Sequence, residues 1–120
     1  MSTGRVASTQ LTSGTIALTT QLPVYTVPSG YYGIYNISFT NTSSSAVQIR
    51  LAISSSSTAG GVGASEYFEY QTNIAPYGVF ERTGLVALGG ALSASTPYIY
   101  ATSTGTAVNV NIYGIETSTS

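Results

Sequence analysis

The stretch Ala46-Val47-Gln48-Ile49-Arg50-Leu51-Ala52-Ile53-Ser54 alternates with a period of two. A strand sends successive side chains to opposite faces, so Val47, Ile49, Leu51 and Ile53 point one way and Gln48, Arg50 and Ala52 the other. The segment from Ala107 to Tyr113 repeats the pattern, with Val108, Val110 and Ile112 inward and Asn109, Asn111 and Tyr113 outward. Tyr35-Asn36-Ile37-Ser38-Phe39-Thr40 does the same, gathering Tyr35, Ile37 and Phe39 on one face. One apolar and one wet face per strand is the pattern of an antiparallel sheet.

Weaker strand patterns fill the remainder. Residues 15–20 carry Ile16 and Leu18 on one face, 24–27 are bracketed by Pro23 and Pro28, and 66–72, 79–88 and 98–103 are rich in β-branched and aromatic residues. The segment from Val6 to Leu11 reads as a further strand or as an arm. Pro28-Ser29-Gly30, Pro76-Tyr77-Gly78 and Gly89-Gly90 mark corners, and the longest loop is the Ser/Gly/Ala tract from Ser54 to Ser65. Asn41-Thr42-Ser43-Ser44-Ser45 joins two strong strands, which are expected to form a hairpin. No window of a dozen residues reads as an amphipathic helix. The expectation is an all-β chain, an antiparallel β-sandwich or jelly roll of about eight short strands. Residues 1–13 form an N-terminal arm or first edge strand, 14–116 one domain, and 117–120 a polar tail.

The composition narrows the chemistry. At 120 residues the chain is one domain's length, and Leu, Ile, Val and Phe make up about 23% of it, above the ~20% below which chains stay disordered. Charged residues are 6%, against about 25% in ordinary domains. They are Arg5, Arg50, Arg82, Glu66, Glu69, Glu81 and Glu116, and 18 Ser and 18 Thr supply the missing polarity. Without Cys or His there is no thiolate or imidazole metal site and no Cys–His or Ser–His nucleophile. Without Lys there is neither a Walker A loop nor a Schiff base. Three Arg against four Glu make no field for phosphates, so nucleic acid is not an expected partner. No apolar run approaches the ~20 residues of a membrane-spanning helix, and no basic stretch and apolar run of a secretory leader follow Met1. A soluble chain with no cofactor and no membrane partner is expected.

Enzyme readings rest on the carboxylates. Glu66 and Glu69 lie three apart in an expected strand and leave from opposite faces, a poor pair for acid–base work. Glu81 could approach one of them across strands at a glycosidase spacing. The plainer reading makes them solvated strand residues, with Glu69 or Glu81 paired to Arg82 or Arg50, and no enzyme is expected. Calcium normally draws on Asp, which is absent, and Asn109 and Asn111 read as a hydrogen-bonding strand face. Asn36-Ile37-Ser38 and Asn41-Thr42-Ser43 match the glycosylation acceptor pattern.

Ten tyrosines are the more informative set. Tyr31, Tyr32 and Tyr35 follow the Pro-Ser-Gly turn, Tyr67 and Tyr70 flank Phe68, and Tyr98 and Tyr100 share a strand face. They read as a sugar-stacking platform, as protein–protein contact, or as ordinary core edge. The candidate interface comprises Tyr31, Tyr32, Tyr67 and Tyr70, with Glu69, Glu81 and Arg82 as the candidates for a buried or interface ion pair. Surfaces this poor in charge repel their copies weakly and tend to associate, through contacts that salt barely screens.

Several segments share a familiar order: Tyr25-Thr26-Val27-Pro28-Ser29-Gly30, Ile37-Ser38-Phe39-Thr40-Asn41, Val47 to Ser54, Glu66-Tyr67-Phe68-Glu69-Tyr70, Gly78-Val79-Phe80-Glu81-Arg82-Thr83-Gly84, and Val108-Asn109-Val110-Asn111-Ile112-Tyr113-Gly114. In this order the chain, over about residues 22–116, resembles small virion proteins of tailed bacteriophages, particularly those of marine cyanobacteria and other aquatic hosts. The resemblance implies a structural component of the phage particle and carries no catalytic residues. Small all-β proteins of that class often decorate the capsid, binding the outer face of the head as trimers or other oligomers and cementing neighbouring subunits. A capsid decoration protein is therefore expected, with the major capsid protein or other virion proteins as partners and a homo-oligomer, trimer favoured. The segment from Ser2 to Leu11 is then an arm to a neighbour or a free end. The alternative is a tail- or fibre-associated sandwich with a receptor- or glycan-binding tip, although the chain lacks the shaft or coiled coil of a fibre.

Overall fold

The computed structural model describes residues 2–92 and 95–118. Eight strands run in the order β1 (Ser2–Leu11), β2 (Tyr25–Thr26), β3 (Tyr31–Asn41), β4 (Val47–Ser54), β5 (Tyr67–Ile74), β6 (Val79–Leu88), β7 (Tyr98–Ser103) and β8 (Val108–Ser118). They form two four-stranded sheets, β1-β8-β3-β6 and β2-β7-β4-β5, called here the first and second sheet. Every pairing is antiparallel. Among the described residues the only helical turns are two 3-10 segments, Ala59–Gly61 and Ala64–Glu66.

The pairings follow one rule: β1 with β8, β2 with β7, β3 with β6, and β4 with β5. That is a single long hairpin bent back at the loop between β4 and β5. Two further pairings, β3 with β8 and β4 with β7, roll the hairpin up. The result is the two-sheet jelly roll. Its core lies between the sheets and is the set that alternation assigns inward. Tyr35, Ile37 and Phe39 face Val47, Ile49, Leu51 and Ile53, with Val108, Val110 and Ile112 beside them, all at most 5% exposed.

Rolling up the hairpin corrects one expectation. β3 and β4 do not form a hairpin: β3 belongs to the first sheet and β4 to the second, so residues 42–46 cross from one sheet to the other. Alternation cannot separate two strands side by side from two strands facing across a core, since both arrangements bury the same residues. Asn41 fixes the crossing. Its amide Nδ2 donates to the carbonyls of Ser45 (2.8 Å) and Ala75 (3.1 Å), and its Oδ1 accepts from the Ser43 N–H (3.0 Å) and hydroxyl (2.7 Å). Buried completely, Asn41 is no glycosylation acceptor in the folded chain.

Residues 15–20 are not a strand. They lie across the outer face of the second sheet, where the Thr102 hydroxyl donates to the Ile16 carbonyl (2.6 Å) and Leu18 packs against Ala52, Ala59 and Tyr100. The strand expected at 24–27 shrinks to Tyr25–Thr26, between the two prolines. The N-terminal segment is an edge strand, with a bulge between Arg5 and Ala7. Thr117 and Ser118, assigned by composition to a polar tail, pair with Tyr32 and Tyr31. The rest of that tail, Thr119 and Ser120, lies outside the described residues.

One packing contact constrains two glycines. The Tyr35 ring lies against Gly33 of β3 and Gly114 of β8, and a Cβ at either would collide with it. At Gly114 that carbon would stand 2.5 Å from Tyr35 Cδ1 and 2.8 Å from the Ile34 carbonyl oxygen. Gly114→Ala is expected to lower unfolding free energy by about 1–3 kcal/mol in urea denaturation, the usual cost of overpacking. Pairing it with Tyr35→Leu, which removes the ring, should recover part of what the glycine change loses, giving a non-additive cycle.

Candidate functional site

The two outer faces of the sandwich differ. Around Ala52 and Tyr100 the outer face of the second sheet is covered by the chain itself, by residues 15–20 and the loop between β4 and β5, while Tyr70 on edge strand β5 stays exposed. The Tyr100 hydroxyl donates to the Ser56 carbonyl (2.9 Å), and Ala52, Ala59 and Tyr100 form a small secondary core beneath. Glu66 secures this loop by accepting hydrogen bonds from the Ser54 hydroxyl (2.7 Å), the Ser55 N–H (3.2 Å) and the Gly63 N–H (2.9 Å). Burial works to raise its pKa, but those three donors prevail and hold the carboxyl below its ordinary value.

Among the described residues no such covering lies over the first sheet. On β3, Ile34 points outward between Val86 of β6 and Ile115 of β8, its direct register partners on either side. Tyr32 and Tyr113 flank this row, and all five side chains are between 38% and 53% exposed. The other half of the same face is polar, with Ser38, Thr40, Asn109 and Asn111 in neighbouring register. An apolar patch spanning three strands beside a polar half is the candidate functional surface.

The candidate residues drawn from the sequence divide among four places. Tyr32 and Glu81 lie on the open face of the first sheet. Tyr31 packs half-buried against the core. Tyr67 and Tyr70 meet edge-on (5.1 Å between ring centroids) on the outer side of the second sheet, where the Arg50 guanidinium stacks 4.0 Å from the Tyr70 ring centroid. Glu69 and Arg82 form an ion pair (2.6 Å) joining β5 of one sheet to β6 of the other, and Thr72 donates to the second Glu69 oxygen (2.7 Å). Glu81 takes no part in that pair.

Glu116, not among those candidates, is 5% exposed and accepts hydrogen bonds from two phenols, Tyr35 (2.8 Å) and Tyr25. Tyr25 belongs to the second sheet and Glu116 and Tyr35 to the first, so this cluster ties the sheets together. Burial, with the adjacent carboxylate, raises both phenol pKa values far above normal, which leaves them poor proton donors for chemistry. The signal for Glu116 lay in partners 91 and 81 residues away, beyond the reach of a local pattern.

No two glutamates share a hydrogen-bond partner among the described residues, and no three come together to hold a metal ion. A cleft of about 330 Å³ opens between the end of β1 and residues 21–24, lined by hydroxyls, amides and aliphatic side chains with no aromatic or charged group. No family model matches the chain, and no curated protein or solved structure matches it.

Because the Glu66 pKa is lowered on folding, its contribution to stability is present above the unfolded value of about 4.5 and is lost as pH falls through the folded value. The wild-type chain is therefore expected to lose stability more steeply than Glu66→Gln between about pH 5 and pH 3. Denaturant midpoints measured across that range check this; parallel pH profiles would contradict it.

Proposed function

We propose that this chain is a non-enzymatic structural protein of a phage particle, a decoration protein that binds the outer face of the assembled head and stabilises it through subunit contacts. The observation that carries the reading is the uncovered apolar face of the first sheet, on a chain whose surface has almost no charge. A free protein rarely leaves Ile34, Val86 and Ile115 side by side in water, and such patches usually mark contact surfaces. Most of the charged side chains are engaged in fastening the fold, which leaves little for proton transfer.

A protein that binds the assembled shell and not its free subunits stabilises the shell by mass action, and many equivalent sites multiply a modest contact. Contacts made mainly by apolar and tyrosine surface persist across a wide range of ionic strength. The glycan-binding alternative would call for an open aromatic platform above hydrogen-bonding groups. The cleft beside β1 has the amides and hydroxyls without the aromatic ring.

Purified protein incubated with expanded, empty heads of the parent phage is expected to co-sediment in a fixed stoichiometry to the capsid subunit, in low and high salt alike. Failure to bind heads, together with retention on host surface polysaccharide, would replace this reading with that of an appendage tip.

A further inference from the structure

Of the seven charged residues, five are engaged within the fold: Glu69 with Arg82, Glu116 with two tyrosines, Glu66 with the loop, and Arg50 with Tyr70. The remaining two, Arg5 and Glu81, make no ion pair among the described residues, and both lie on the open face of the first sheet. Arg5 stands opposite outward-facing Tyr113, and Glu81 opposite Ser38. Their strands, β1 and β6, are the two edges of the sheet order β1-β8-β3-β6. One cation and one anion therefore sit at equal distances on either side of a line between β8 and β3.

We propose that this face packs against the same face of a second copy of the chain, about a two-fold axis parallel to the strands and above that line. The operation places β3 over the partner's β8 and β1 over the partner's β6. Ile34 then stacks on the partner subunit's Ile115, and the reciprocal contact forms by symmetry, because the two isoleucines share a register row. Arg5 meets the partner subunit's Glu81, twice. The offset between their rows is two residues, about 7 Å along a strand, which an arginine and a glutamate side chain together span.

The half-exposed Tyr32, Ile34, Val86, Tyr113 and Ile115 offer roughly 400 Å² of surface per copy. That is the apolar centre of a stable interface of about 800 Å² per partner, with the polar half of the face and the charged flanks as its rim. A foreign partner would have no reason to carry the mirror of this charge arrangement, whereas a second copy carries it necessarily. The contact is isologous and closes at two copies. The inference rests on the reading of this face as a subunit contact, names the subunit as a second copy, and leaves the contact with the head to surfaces outside this face.

Sedimentation equilibrium of the purified chain, without heads, tests it. A dimer is expected, and Ile34→Glu, on an outward position, should give a monomer with an unchanged circular dichroism spectrum. Arg5→Glu and Glu81→Arg should each weaken the dimer about tenfold, because each turns two attractive pairs repulsive. The double exchange, Arg5→Glu with Glu81→Arg, should restore wild-type affinity to within about threefold. A wild-type monomer or trimer would overturn the proposal, as would a dimer indifferent to the single charge changes or not rescued by the double one. Heads that bind a constitutive monomer would remove this pairing and leave the virion reading intact; a dimer that ignores heads would do the reverse.

Discussion

Each strand of a two-sheet sandwich presents two faces, and the shared core buries only one of them. What becomes of the other face decides how the molecule behaves. Here the rolled hairpin answers differently for its two sheets. The longest connections, 12–24 and 55–66, both serve the second sheet, folding Leu18 and Ala59 over Ala52 and Tyr100. Nothing described crosses the first, so its outward Tyr32, Ile34, Val86, Tyr113 and Ile115 stand in water. The covered sheet gives the fold its second small core; the bare one gives it a surface to offer.

Scarce charge is distributed to match. The Glu69–Arg82 pair closes the flank between β5 and β6, and Glu116 with Tyr25 and Tyr35 binds the sheets on another side. Asn41 does the same work at the crossing loop without charge. Glu116 and Asn41 are buried between the sheets, where removing one partner leaves a polar atom stranded, at a cost of about 1–3 kcal/mol. A sandwich fastened in this way does not depend on its solvent-facing surface for stability. That surface is then free to be apolar.

Much of the architecture was legible in the sequence, for a physical reason. β6 and β7 have the bounds read from their β-branched and aromatic residues, and every inward residue read by alternation from 35–39, 47–53 and 108–112 is buried. β3 and β8 extend beyond the stretches read from alternation because alternation fails at their far ends. Tyr31-Tyr32-Gly33-Ile34 carries apolar side chains on both faces, and in Ile112-Tyr113-Gly114-Ile115 the apolar residues switch from the inward to the outward face. The residues that blurred the strand pattern are the ones that form the open patch, and apolar residues at both parities were the available signal for it. Ile16 and Leu18 misled in the opposite sense: their spacing is that of a strand, yet Leu18 packs onto the sheet's back and the Ile16 carbonyl accepts from Thr102, with no neighbouring ladder. The sheet crossing of β3 and β4, and the burial of Glu116, depend on contacts between distant parts of the chain that no local window contains.

The central claim is that Ile34 lies at the middle of a subunit contact. Since the chain has no cysteine of its own, Ile34→Cys would place one thiol there and nowhere else. Its alkylation rate should be slow in the associated protein and rise sharply on dilution, while a thiol at exposed Ser55, over the covered sheet, should react at one rate throughout. Equal and concentration-independent rates at both positions would show that the face stays in water, and would contradict the account.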